Sequence, residues 1–275
     1  MKKLFLLFLV FVCSLVHAQD LGSSMRPMKY TKRTEPILRG MIVYYGDYYT
    51  ESDLVRVQNL LEKRFHEATN EMVKLQTIKK KIMPFKHQIV NYPNYRQDNV
   101  KDPERLQRLW YYDNVGAAVI KEVYDQLKKE LKNIDVLLII TGAQFDGLGF
   151  ASGRVAVTEN PMEIAWGLPN GGRVDFRSDA NVVDELIHEL GHTMFLDHAA
   201  SHCQSPDLSY EQKLACCEKS PAKNDVMSYC RNRNQVNDEF FFKFEECNIG
   251  IIKNKVIPAM LKGGAWNVAN RPKCR

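Results

Sequence analysis

The 275-residue chain contains no Asn-x-Ser/Thr sequon, no tandem repeat, and only 15 glycines and 11 prolines. These absences exclude collagen-like, solenoid and low-complexity architectures and leave no site for N-glycosylation. An excess of charge is missing too: 38 Lys and Arg stand against 33 Asp and Glu, a formal +5. That balance is too mild to imply a nucleic-acid partner. Past the first residues no apolar run approaches the roughly 20 residues that cross a bilayer, so no membrane anchor is expected. What is present, 45% hydrophobic and 26% charged, is ordinary globular composition in a length that suits one large domain or two small ones.

Residues 1–18, MKKLFLLFLVFVCSLVHA, join two lysines to an apolar run, with Val16 and Ala18 placed for cleavage. This pattern predicts a signal peptide, and with it a secreted, extracellular protein. Cys13 follows Val12 rather than a small residue, which does not suit a lipid anchor. The remaining cysteines, Cys203, Cys216, Cys217, Cys230, Cys247 and Cys274, all fall in the last third. In a secreted chain such an even set reads as disulfides stapling a loop-rich region, rather than as a zinc site. Adjacent Cys216 and Cys217 are expected to take different partners.

Residues 19–36 are polar and aperiodic and read as a flexible lead-in to a domain over 37–275. Met41 to Tyr45 is a β-branched and aromatic run, and the cap residues Thr50 to Asp53 introduce a helix from about Leu54 to Val73. A strand is expected over Lys79 to Val90 and a helix over Asp113 to Lys132, with Val115, Ala118, Val119, Val123 and Leu127 at helical spacing. Ile134 to Thr141, IDVLLIIT, is continuous enough to be a strand buried on both faces. A glycine-punctuated stretch, 142–153, leads to a strand over Arg154 to Thr158. The next helix, from about Asp179, carries Val182, Val183, Leu186, Ile187 and Leu190 as its inward stripe. Past Ala200 the chain reads as irregular, until one or two closing helices between Glu239 and Leu261. The order is that of an α/β (α+β) domain.

Residues 188–198 read HELGHTMFLDH. On a helix His188 and His192 lie about 40° apart in projection, so both imidazoles can meet one zinc ion while Glu189 reaches a water beside it. Catalytic zinc usually takes three protein ligands, and His198 is the obvious third. On an unbroken helix His198 would lie about 80° round on the other side and far along the axis. The helix is therefore expected to end between Met194 and Asp197. With seven histidines in the chain, HExxH arises by chance in roughly one such sequence in a hundred, and the third histidine makes coincidence much rarer.

His188, Glu189, His192 and His198 resemble the HExxHxxGxxH signature of the metzincin zinc endopeptidases. Asp225-Val226-Met227-Ser228-Tyr229 is similar to their Met-turn. Leu137 to Gly153, LLIITGAQFDGLGFASG, resembles the TGxDFDGxxxGxA stretch of the adamalysins (reprolysins), and Phe244-Glu245-Glu246-Cys247 resembles their FSxC segment. The resemblance spans about residues 37 to 262. It implies a twisted mixed sheet, helices above a cleft, and a smaller disulfide-bonded lower subdomain. Two positions depart from the pattern. Phe195 stands where the family has Gly, and a bulky residue adopts the left-handed conformation only at a cost; Ala199 stands where adamalysins commonly have Asp. In that family the cysteine matching Cys247 pairs with one on the strand after GxA. Residues 154–158, RVAVT, carry none, so Cys247 needs another partner, Cys274 being one candidate.

The resemblance further implies a monomer that cleaves extracellular proteins or peptides, with Zn2+ held by His188, His192 and His198. Glu189 would pass a proton from water to the leaving amine. The strand over Arg154 to Thr158 would be the edge on which an extended peptide pairs, Met227 a support beneath the metal, and Tyr229 either a zinc-site residue or a packed aromatic. Two rivals stand beside this reading: a secreted binding protein that keeps the fold without turnover, suggested by Phe195, and a zinc site completed by a distant Glu in place of His198. Lys79, Lys80, Lys81, Lys86 and His87 read as a solvated edge rather than a polyanion site. Tyr45-Gly46-Asp47 reads as a turn rather than an inhibitory aspartate. His66, His87 and His202 have no partner at ligand spacing.

Overall fold

The computed structural model describes residues 29–46, 49–84, 119–120, 122–142, 149–159, 178–205, 207–231, 236–237, 239–266 and 274. The leader at 1–18, Lys86, His87, Asp47, Val115, Ala118 and the far end of the strand expected to reach Val90 lie outside them.

Five strands form one sheet in the order β2-β1-β3-β5-β4. They are β1 (Ile37–Tyr45), β2 (Lys74–Met83), β3 (Val136–Thr141), β4 (Gly149–Ser152) and β5 (Val155–Glu159). All neighbours run parallel except β4, which pairs antiparallel with β5. The apolar run at β3 is buried on both faces, as its sequence predicts: Val136, Leu138 and Ile140 join one core cluster, Leu137 and Ile139 the other. β1 alternates in the same way, Ile42 and Tyr44 against Met41, Val43 and Tyr45. One layer beside the sheet is built on helices α1 (Glu51–Ala68) and α2 (Asp179–Thr193). The other holds Val119, Val123 and Leu127 from the helical residues 119–120 and 122–127.

Helix α1 opens on a capping box, Thr50 accepting from the Asp53 N–H while the Asp53 carboxylate accepts from that of Thr50. It stops at Ala68, short of the predicted Val73, because Asn70 and Glu71 turn left-handed (φ 50° and 61°). Val73, which extended the apolar period, is instead buried at the entrance to β2. At the outer edge of β2, Lys81 pairs with Glu130 at 2.8 Å and Lys79 donates to the Glu130 carbonyl at 3.2 Å, the charged edge that discourages further strand pairing.

Residues 29–36, read from sequence as part of a flexible lead-in, are largely exposed but anchored at two points. Tyr30 is buried and exchanges backbone hydrogen bonds with Gly264, both 2.8 Å. Arg33 forms a two-pronged pair with the buried Asp135, at 2.6 and 2.9 Å. Fork geometry of this kind fixes the strand's approach to β3 in a way composition does not reveal.

The region after Ala200 is also more regular than predicted. Helix α3 (Tyr210–Lys219) starts on a Ser209–Gln212 capping box, yet none of its residues is buried, so it shows no apolar stripe. The closing helices begin at Glu246 rather than Glu239: α4 (Glu246–Ile251), a wider π turn (Ile252–Val256) and α5 (Ile257–Lys262) follow one another. Pro258 has no N–H to offer the preceding turn, and the ladder widens just before it. Disulfides join Cys203 to Cys216, Cys217 to Cys230, and Cys247 to Cys274. The adjacent pair takes separate partners, as expected, and Cys274 is the partner of Cys247.

Candidate metal centre

Helix α2 begins where Ser178 accepts from the Asn181 N–H, and its stripe of Val182, Val183, Leu186, Ile187 and Leu190 is buried. Its period of about 3.6 residues brings His188 and His192 onto one flank. The helix ends at Thr193 with Met194 as its cap, at the start of the interval that the position of His198 requires. Phe195 then takes φ 62°, the left-handed conformation that the departure from Gly makes costly, by about 1–2 kcal/mol. The turn is held because the Leu196 N–H reaches the Gly191 carbonyl at 2.9 Å and the Phe195 ring lies edge-on to Trp266, centroids 6.2 Å apart.

The reversal brings His198 back to the helix. The Nε2 atoms of His188 and His192 are 3.2 Å apart, those of His192 and His198 2.9 Å, and those of His188 and His198 3.3 Å. Three imidazole nitrogens facing one another this closely cannot all be satisfied by protons, and the group can hold a metal ion. Nitrogens bound at 2.0–2.1 Å to one tetrahedral zinc stand about 3.3 Å apart, which these spacings approach. The donor set therefore fits zinc, with no need for a distant Glu.

The tautomer is set from below. His188 Nδ1 lies 2.7 Å from the Val226 carbonyl, which can only accept, so the proton is on Nδ1 and Nε2 keeps its lone pair. Burial, reinforced by His188 and His198, holds the His192 imidazole well below its ordinary range and therefore neutral, as a ligand must be. Val226 belongs to the 225–229 turn, which Asp225 organises: Oδ1 accepts from Met227 N at 2.6 Å, and Oδ2 from Glu245 N at 2.8 Å and Asn248 Nδ2 at 3.1 Å. Burial pushes the Asp225 carboxyl up, against the pull of those donors. Met227 is fully buried under Gly191, where a Cβ would come within 2.3 Å of its sulfur. Tyr229 is half exposed and lies over His198, centroids 4.1 Å apart, so it is not a core aromatic.

Glu189 is buried against β4. A Cβ on Gly149 would fall 2.5 Å from Glu189 Oε1, so only glycine lets this strand approach the carboxylate. β4 is also the outer strand, and β5 lies inside the sheet between β3 and β4. The expectation that Arg154 to Thr158 forms the edge is thereby corrected: alternation marks a strand but carries no record of what pairs on either side of it.

Behind the centre, Arg231 bonds Asp184 at 2.7 Å and Glu185 at 3.0 Å, all three buried and one helical turn ahead of His188 and Glu189. Removing one partner of such a group costs about 3–5 kcal/mol, so it pins α2 to the chain after Cys230. No sequence signal distinguishes this arginine from a surface one. Two further metal-capable groups among the described residues, His202 with Cys203 and Cys216, and Cys203 with Cys217 and Cys230, use cysteines already joined in disulfides, which offer no thiolate. His66 Nδ1 lies 3.1 Å from the Val73 carbonyl and serves the turn after α1.

No protein-family model matches the chain, and no curated protein matches it. Solved structures with distant likeness include an archaemetzincin from Methanopyrus kandleri, 19% identical over 84% of this chain and 98% of that one, TM-score 0.45. A zinc-dependent peptidase from Methanocorpusculum labreanum is 15% identical over 74% and 95%, TM-score 0.32. A chaperone-substrate complex is 12% identical over 85% of this chain but 37% of that one, TM-score 0.42. Likeness at this level describes the neighbours and assigns nothing to this chain. Among the described residues no helix is long and apolar enough to cross a membrane.

Proposed function

We propose that the chain is a secreted zinc endopeptidase of the metzincin type, adamalysin-like in its motifs, acting as a monomer on extracellular proteins or peptides. The observation that carries this reading is the convergence of three Nε2 atoms within 3.3 Å, with the buried Glu189 next to one of them on α2 and packed against β4, the last strand of the sheet among the described residues. His188, His192 and His198 would hold zinc, which would supply Lewis acidity for peptide hydrolysis. Glu189 would take a proton from the attacking water and deliver it to the leaving amine. The outer edge of β4, unpaired among the described residues, binds the substrate backbone in extended form, which places its carbonyl beside Glu189. Tyr229, above His198, offers a phenol to developing negative charge. The rival reading, a binding protein that keeps the zinc fold without turnover, shares this metal site, and a turnover assay separates the two.

Purified protein without residues 1–18 is expected to cleave a mixed peptide library, to stop when zinc is chelated, and to recover when zinc is returned. Folded, zinc-loaded protein that cleaves nothing would overturn the peptidase reading. Gly149→Ala is expected to remain folded while hydrolysis falls about 100-fold, the usual cost of displacing a reacting group by about 1 Å. Steady-state kinetics alongside a thermal melt would check this, and full activity in the variant would show that β4 does not set the carboxylate.

A further inference from the structure

His198 is the one histidine of the three that does not stand on a helix, so α2 alone cannot hold it in place. Two contacts from the C-terminal part of the chain reach the loop that carries it. Asn248 is fully buried, and its Nδ2 donates both to the Asp197 carbonyl, next to His198, at 3.3 Å, and to Asp225 Oδ2 at 3.1 Å. One amide group thus joins the loop of His198 to the turn that orients His188. Cys247, beside it, is bonded to Cys274, whose sulfur lies 3.4 Å from Asn248 Oδ1. Trp266, buried, meets the Phe195 ring of the same loop at 83°. Gly264, two residues before Trp266, is tied to Tyr30. Phe195 therefore gains an aromatic contact that glycine could not make, at the position where glycine would cost the backbone least.

We propose that Asn248 and the Phe195–Trp266 pair are positioning residues for His198, forming a clamp that sets the third imidazole before metal arrives. This deepens the zinc reading and rests on it. A clamp of this kind acts on metal affinity, because the entropy of ordering a loose loop would otherwise be charged to binding. A merely structural contact would lower the thermal midpoint of the metal-free protein and leave the affinity of folded molecules unchanged.

The test is zinc affinity, by competition with a chromophoric chelator, together with the visible spectrum of the Co2+-substituted protein. Trp266→Ala and Asn248→Ala are expected to bind zinc about 10–100-fold more weakly, the range for groups that support a ligand from behind. Trp266→Phe is expected to recover most of the loss. Phe195→Gly separates the two explanations and serves if Asn248→Ala does not fold: it relieves the left-handed backbone, keeps or raises the metal-free thermal midpoint, and still weakens zinc binding. Wild-type zinc affinity and Co2+ spectrum in folded Phe195→Gly and Trp266→Ala would overturn the clamp alone. A wild-type protein that takes no zinc would instead remove the metal reading, and the clamp with it.

Discussion

Glu189→Ala is expected to keep its fold and its zinc and to hydrolyse peptides about 10²–10⁴-fold more slowly, the usual contribution of a positioned general base. The reason is geometric. Glu189 follows His188 on α2, but its carboxylate lies against β4, where Gly149 makes room for it, and is not one of the three converging nitrogen donors. Zinc content by elemental analysis, measured with kcat/KM on one peptide, separates the outcomes. Loss of zinc along with activity would make Glu189 a ligand. Retained activity would move the proton transfer to another group, with Tyr229 the nearest candidate by its place over His198. Glu189→Gln, which keeps the shape and removes the base, should show the same loss.

His198→Ala is expected to lower zinc affinity well beyond the 10–100-fold that loss of a supporting partner costs, because it removes one of three donors outright. Its Nε2 stands 2.9 Å from that of His192 and 3.3 Å from that of His188. What remains is a pair of imidazoles one helical turn apart, which bind zinc only weakly. Competition titration is the check, with His202→Ala as the comparison: His202 lies beside the Cys203 sulfur, outside the three-histidine group, and its loss should leave zinc affinity unchanged. If His198→Ala retained wild-type affinity, the rival ligand set with a distant carboxylate would return.

The site was legible in the sequence to the extent that it is local. HELGH lies in a stretch whose apolar period matches one helix, so the shared flank of His188 and His192 follows from helical geometry alone. The need for the helix to stop before His198 follows from the same arithmetic. Likewise IDVLLIIT could hardly be other than a doubly buried strand. Elements that carry little buried surface were harder to see. Helix α3 has a capping box in plain view at Ser209 and Gln212, but with no buried side chain it lacks the stripe on which a helix is normally recognised. The segment 29–36 was hard to see for the opposite reason: its anchoring depends on an Arg33–Asp135 pair and on Tyr30–Gly264 hydrogen bonds, both spanning more than a hundred residues.

Residue types and short-range periodicity were thus enough to specify an α/β chain, a helix with two histidines on one flank, a third histidine for the same group and a neighbouring carboxylate, because each of these follows from 3.6- and 2-residue repeats and from the chemistry of imidazole. Which strand lies at the edge, why residue 149 must be glycine, and how Arg231 braces α2 were decided only by folding. So was the conformation of Phe195. Local sterics argue for glycine there, yet the chain holds a phenylalanine at φ 62° against Trp266, a residue 71 positions away. Those outcomes depend on pairings between segments distant in sequence, set at Phe195 against a local preference of about 1–2 kcal/mol, and no window of neighbouring residues contains both partners.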